Sequence, residues 1–385
     1  MSQADSPAPG SGRSRALMPD WLRLVALFGI VAVNVQFIAF SALEPFAAPT
    51  VRGPGDAVAL WLVHGLALSK SYGLFSFMFG VGLGFMVEAA KRRGLAFGPV
   101  YRNRMIGLAV LGVAHGCLFF PGDILVVYAV TGSVLYFWRD WPVRRLVRVG
   151  AVLLTVQVPV ALVLFLPGEP VPEDILALER TFLGQGSFAE AVMFRSIGFA
   201  LVMPFTLATQ GIAALGWFCL GLAAVRSGLI DRPDHALWRR ARRLCLAPGL
   251  VASLAGAALW QWGPALPGAA LTLAVAPVAT LGYLGGIAAL ARPPGPVMAR
   301  VLAAGGASLS VYLGQSILLS SVFAAYGLGL WEDLGRFAAL GVAFGLTLAL
   351  IAALAVWLRR APLGPFEWVL RRITYAGAAR RAQRS

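Results

Sequence analysis

His115 and Asp123 are the two side chains in this sequence whose types and spacing best suit proton transfer. They stand eight positions apart, with Pro121-Gly122 between, so a tight turn brings the imidazole and the carboxylate back toward each other. A histidine titrates near neutral pH, and a neighbouring carboxylate fixes its tautomer and holds its charged form. His115 is also the one histidine inside a long apolar run, where an ionisable group is costly and marks function by default. The bland alternative is a satisfied packing histidine.

Other polar residues inside apolar runs form a short list. Asp20 and Arg23 are three apart and share a helix face, which suits a local ion pair with Arg23 reaching to the interface. Asn34 lies eleven residues above Arg23, about three turns, and so faces the same way. Lys70 precedes Ser71, Tyr72, Phe75 and Ser76, and would either reach to the interface or bind an anion. Gln315 and Ser316, with Tyr312 one turn earlier, make a further polar patch. Gly80, Gly82 and Gly84 permit close approach of a neighbouring helix and carry no nucleotide-loop context. Neither GxSxG, HExxH nor a P-loop is present. Cys117, Cys219 and Cys245 form no CxxC pair, and the histidines are too scattered for a metal site.

The elements that must position these residues are membrane helices. Of the 385 residues 59% are hydrophobic and 13% charged, against about 25% charged in a soluble domain, so the chain lacks the polar surface for solution. The apolar runs are continuous, which excludes a transmembrane β-barrel of alternating ten-residue strands. The expected fold is an all-α polytopic bundle of about ten spans: 22–42, 71–90, 105–121, 123–138, 147–167, 198–226, 244–262, 268–291, 305–326 and 335–358. Residues 57–70 read as an interfacial or re-entrant helix, and 168–197 as an outer amphipathic segment containing Glu179, Arg180 and Arg195. Residues 1–16 read as a disordered tail, 17–375 as one membrane domain, and 376–385 as a basic tail.

The net charge of +15 would suggest nucleic acid in a soluble protein. Sorted by segment, 26 of the 32 basic residues fall on one side when the spans alternate, which places both termini in the cytoplasm and makes anionic lipid, not nucleic acid, the partner of most of that charge. Asp56, Asp123, Glu179 and seven other acids fall on the opposite side. Arg23, Lys70 and Arg195 are the basic residues left for function. Internal inverted symmetry and broken midplane helices, the marks of a transporter, are not visible in the sequence.

The ordered motifs resemble the bacterial YeiB-like family, domain of unknown function 418. Its first-span pattern matches Asp20, Arg23, Ala26, Gly29 and Asn34, with Leu24 where the family has glycine. Its second matches Lys70, Leu74-Phe75-Ser76 and Phe79-Gly80. Its third matches Gly112, His115, Gly122-Asp123-Ile124-Leu125 and Tyr128-Ala129. The fourth matches Tyr312-Leu313 and Gln315-Ser316, with Gly306 and Val311 in place of the family's arginine and asparagine. The last matches Gly364-Pro365-Phe366-Glu367-Trp368, Arg371 and Thr374-Tyr375.

The family is in turn distantly similar to the membrane acyltransferase superfamily of sugar O-acetyltransferases. Many of those carry an arginine and, after ten intervening residues, a histidine in the first span. The same spacing here ends on Asn34, which cannot act as a base, so His115 with Asp123 is the replacement candidate. The likeness implies transfer of an acyl group from a cytoplasmic donor of the acyl-CoA kind, with no bound cofactor, to a hydroxyl or amine acceptor: a glycan, lipid or small metabolite. Arg23, Asn34, Lys70, Tyr128, Gln315 and Arg195 would bind substrates. A transporter or flippase without chemistry, and a structural membrane partner, are the alternatives.

Overall fold

A computed structural model describes residues 17–43, 51–92, 94, 96–164 and 171–376. The expected tail 1–16, the basic tail beyond Ala376 and residues 168–170 of the outer segment lie outside the described residues. Helices are the regular structure of the described residues. That is the form an apolar chain takes when lipid leaves its backbone groups no other partner.

Seven helical runs are long and apolar enough to cross a membrane. They are α1 (Leu17–Ile38), the run from α2 (Pro54–Leu62) through α3 (Lys70–Arg92), α6 (143–163), α8 (Phe188–Arg226), the run from α9 (Ala236–Ala241) through α10 (Ala247–Trp262), α11 (Ala265–Leu290) and α14 (Arg336–Trp357). An eighth arises if α12 (Pro296–Gly305) and α13 (Ser308–Phe323) count as one span, although they meet at 76°. The other two expected spans are α4 (Phe97–Leu118) and α5 (Leu125–Trp138). The first turns of α4 carry Arg102, Asn103 and Arg104, and α5 has 14 residues, about 21 Å, against a hydrocarbon core of about 30 Å. The coarser expectation, an all-helical membrane bundle, holds.

Three elements depart from the sequence reading. Residues 57–70, read as an interfacial or re-entrant helix, are not one uninterrupted α-helix. They continue through a π turn, Val63–Ala67, toward α3, with Ser69 at the junction in the left-handed region at φ 63°. Residues 171–197 contain the expected amphipathic helix, α7 (Glu173–Gly184), but their second half is the start of α8. Ser187 and Glu190 form a capping box there: the Ser187 N–H donates to the Glu190 carboxylate at 2.8 Å and the Glu190 N–H to Ser187 Oγ. The third departure is the sharp bend before α13, at Gly306-Ala307.

The core that frames the site joins α1, α3, α5, α8 and α13 through Leu27, Leu83, Tyr128, Phe218, Cys219 and Tyr312. Helices α3 and α8 touch backbone to backbone. A Cβ on Gly80 would run into the Phe218 carbonyl, and one on Gly221 into the Phe77 carbonyl. The glycines of α3 thus work as expected at Gly80, whereas Gly82 faces open space.

Candidate active site

His115 lies in the last turn of α4, and Asp123 stands two residues before α5, next to its N-cap Ile124. Asp123 Oδ1 accepts the N–H groups of Leu125 at 2.7 Å and Val126 at 3.0 Å. These are opening amides of α5, which have no acceptor within their own helix, and the positive end of the helix dipole favours an anion there. That leaves Oδ2, which stands 2.7 Å from His115 Nδ1. Tyr312 of α13 donates its hydroxyl toward the same oxygen at 3.4 Å.

Both members of the dyad are buried: His115 is 3% exposed and Asp123 0%. With the carboxylate accepting at this contact, Nδ1 is the ring's donor and Nε2 the nitrogen that offers a lone pair. His115 Nε2 is buried without a hydrogen-bond partner. Satisfied packing histidines use both nitrogens; this one uses one. Gly112 makes the geometry feasible, because a Cβ there would stand 2.6 Å from Asp123 Oδ1 and 2.8 Å from the Val126 nitrogen.

Aromatic rings wall the dyad. The Tyr312 ring lies 5.1 Å from the imidazole and the Phe120 ring 6.4 Å. Phe75 sits between Tyr312 at 6.3 Å and Tyr128 at 6.1 Å. Tyr128 Oη is 2.8 Å from Ser76 Oγ. The structure therefore brings together six residues read from sequence: Phe75, Ser76, His115, Asp123, Tyr128 and Tyr312.

The other candidates stand in separate groups. Gln315 Nε2 donates to Thr347 Oγ1 at 3.0 Å and the Leu27 carbonyl at 3.4 Å, and its Oε1 is buried without a partner. The polar patch on α13 thus splits: Tyr312 serves Asp123, and Gln315 serves α1 and α14. Lys70 is wholly buried and donates to the His64 carbonyl at 3.0 Å. Arg23 pairs with Asp20 at 3.0 Å. Asn34 is half-buried. Gly29 faces Ser71, and Gly122 occupies the turn beside the Phe120 ring.

The comparisons with known proteins agree with the sequence motifs. Residues 224–377 match the profile of the family described as "Protein of unknown function (DUF418)". The uncharacterised protein YxaH of Bacillus subtilis (strain 168) is 28% identical over 92% of this chain and 93% of its own length. The uncharacterised protein YeiB of Escherichia coli (strain K12) is 28% identical over 93% of this chain and 96% of its own. The chain is thus similar to the YeiB-like DUF418 proteins over nearly its whole length. An uncharacterised 39.9 kDa protein from the amylase 3' region of Bacillus acidopullulyticus is 25% identical over 92% of each chain. No solved structure matches.

Two arrangements in this chain escaped the sequence reading. Arg195 is buried, and its Nη1 donates to the carbonyl of Leu118, the last residue of α4, at 3.0 Å and to Tyr326 Oη at 3.1 Å. It thus fixes the helix end that carries His115. Glu367 of α15 (Pro365–Thr374), read from sequence as a motif residue with Trp368, accepts the N–H groups of Leu309 at 2.7 Å and Ser310 at 3.1 Å. It closes the N-terminus of α13, the helix that carries Tyr312. Among the described residues no group of three or more His, Cys, Asp or Glu side chains is placed to hold a metal ion.

Proposed function

We propose that this protein is an acyltransferase of the bacterial cytoplasmic membrane, with both termini inside and His115 as its general base. The observation that carries the proposal is the asymmetry of His115: Nδ1 is anchored to Asp123 at 2.7 Å, and buried Nε2 is left free. A base within hydrogen-bond reach of an incoming hydroxyl or amine needs that arrangement.

The step balances simply. His115 Nε2 takes the acceptor's proton as its oxygen or nitrogen attacks the acyl carbonyl carbon. The carbonyl reforms as the bond to the donor's sulfur breaks, and the thiolate leaves with the proton returned by the imidazolium. Asp123 holds the imidazolium between the two transfers. The Tyr312 hydroxyl lies beside the dyad and assists its charge balance. The segregation of basic residues supports a donor entering from the cytoplasm, where phosphates are attracted.

The test is acyl transfer by the full chain in nanodiscs, from a series of acyl-CoA donors to a bacterial membrane extract. Label appearing in the extract supports the reading, and no transfer from any donor overturns it. A transporter or flippase is the second reading. The specific observation in its favour is the 76° break between α12 and α13, since interrupted helices line substrate paths in transporters. Lipid scrambling or solute uptake in proteoliposomes, without covalent change to the substrate, would select it.

A further inference from the structure

The end of the chain carries a second built feature, which shares no residue with the His115 dyad. Helix α15 is strongly two-faced. Leu370 and Thr374 are buried, and Leu370 and Ile373 press on α4 at Gly107. Trp368, Arg371, Arg372 and Tyr375 line an open cavity of about 370 Å³.

Basic residues in a last turn complement the helix dipole, and that alone would explain two arginines. It does not explain their setting. The Arg372 guanidinium lies 4.5 Å from the centre of the Trp368 ring. A guanidinium held over an aromatic face is restrained in position, and its five N–H donors suit a phosphate through paired bonds. Among the described residues neither Arg371 nor Arg372 pairs with a carboxylate. Glu367, the acid of the same helix, is engaged at the start of α13.

We propose that this cavity binds a phosphate-bearing ligand, with Arg371 and Arg372 as donors and Trp368 and Tyr375 as its walls. The phosphate belongs either to an anionic lipid headgroup or to a soluble phosphate ester. The two sources call for different probes of the same full-length protein. Inorganic pyrophosphate is titrated in detergent by thermal shift, and retention of phosphatidylglycerol is measured by native mass spectrometry. The variants are the doubles Arg371→Ala/Arg372→Ala and, as a charge-matched control, Arg359→Ala/Arg360→Ala, exposed arginines that do not line the cavity.

At least one probe is expected to bind the wild type and the control alike and to bind the 371/372 double about tenfold more weakly. Pyrophosphate binding identifies a soluble ester, and lipid retention a headgroup. The proposal is overturned if neither probe binds, or if both doubles weaken binding equally, which would show diffuse charge in place of a site.

Discussion

Glu367 and Ser310, 57 residues apart, lock two helix starts together. Ser310 Oγ donates to Glu367 Oε2 at 2.5 Å and accepts the Phe366 N–H at 3.0 Å, while Glu367 Oε1 takes the Leu309 and Ser310 amides. One carboxylate thus caps α13, and one hydroxyl caps α15. The consequence reaches the dyad, because Tyr312 lies one turn into α13 and points its hydroxyl at Asp123.

Replacing Glu367 by Ala should therefore cost about 1–3 kcal/mol, more than an ordinary exposed cap, because several donors lose one charged acceptor. Thermal unfolding in detergent reads this as a lower Tm. Ser310→Ala, which leaves the Glu367 bonds to the two amides in place, should cost less. Equal Tm for Glu367→Ala and wild type would contradict the capping role.

Gly80→Ala and Gly82→Ala make a matched pair on α3. At Gly80 the new methyl meets the Phe218 backbone, so α3 and α8 must part, at a cost of about 1–3 kcal/mol. At Gly82 nothing lies within 4 Å, and alanine gains a few tenths of a kcal/mol up to about 1 from helix propensity. Opposite shifts in Tm are expected. Shifts of the same sign and size would show that the α3–α8 contact is looser than described.

Arg195→Met tests the anchor on α4. The substitution leaves the Leu118 carbonyl and the Tyr326 hydroxyl without this donor, a loss of about 1–3 kcal/mol. Because Leu118 ends the helix that carries His115, turnover should fall along with Tm. Unchanged Tm and turnover would remove Arg195 from the account.

Lys70→Met is expected to go the other way. The ammonium is wholly buried, with one carbonyl as its hydrogen-bond partner, and methionine fills a similar volume without an ion to desolvate. The variant should fold with a Tm equal to or above that of the wild type. A marked fall in Tm would show that Lys70 is worth more to the fold than its single bond implies.

The class of fold was readable because lipid demands long apolar helices and leaves ionisable residues conspicuous. His115 and Asp123 were readable for the same reason, since one tight turn joins them. Contacts across the bundle were not. Nothing near Tyr312 says that it turns to Asp123 while Gln315, three residues on, turns to Thr347. Nor does local pattern tie Arg195 to Leu118. The early start of α8 did leave a signal, Ser187 followed three residues later by Glu190, but the surrounding polar residues suggested a separate surface helix. The bend before α13 also left one, in Gly305-Gly306, which apolar neighbours on both sides obscure.

The central claim is that His115 Nε2, held in place by Asp123, removes the acceptor's proton. Its most direct test compares acyl transfer by wild type, His115→Ala and Asp123→Asn, purified in nanodiscs and matched for folding by thermal unfolding. A loss of about 100-fold or more is expected in His115→Ala, and a substantial loss in Asp123→Asn, where the amide can no longer hold the imidazolium. Wild-type turnover in both folded variants would contradict it.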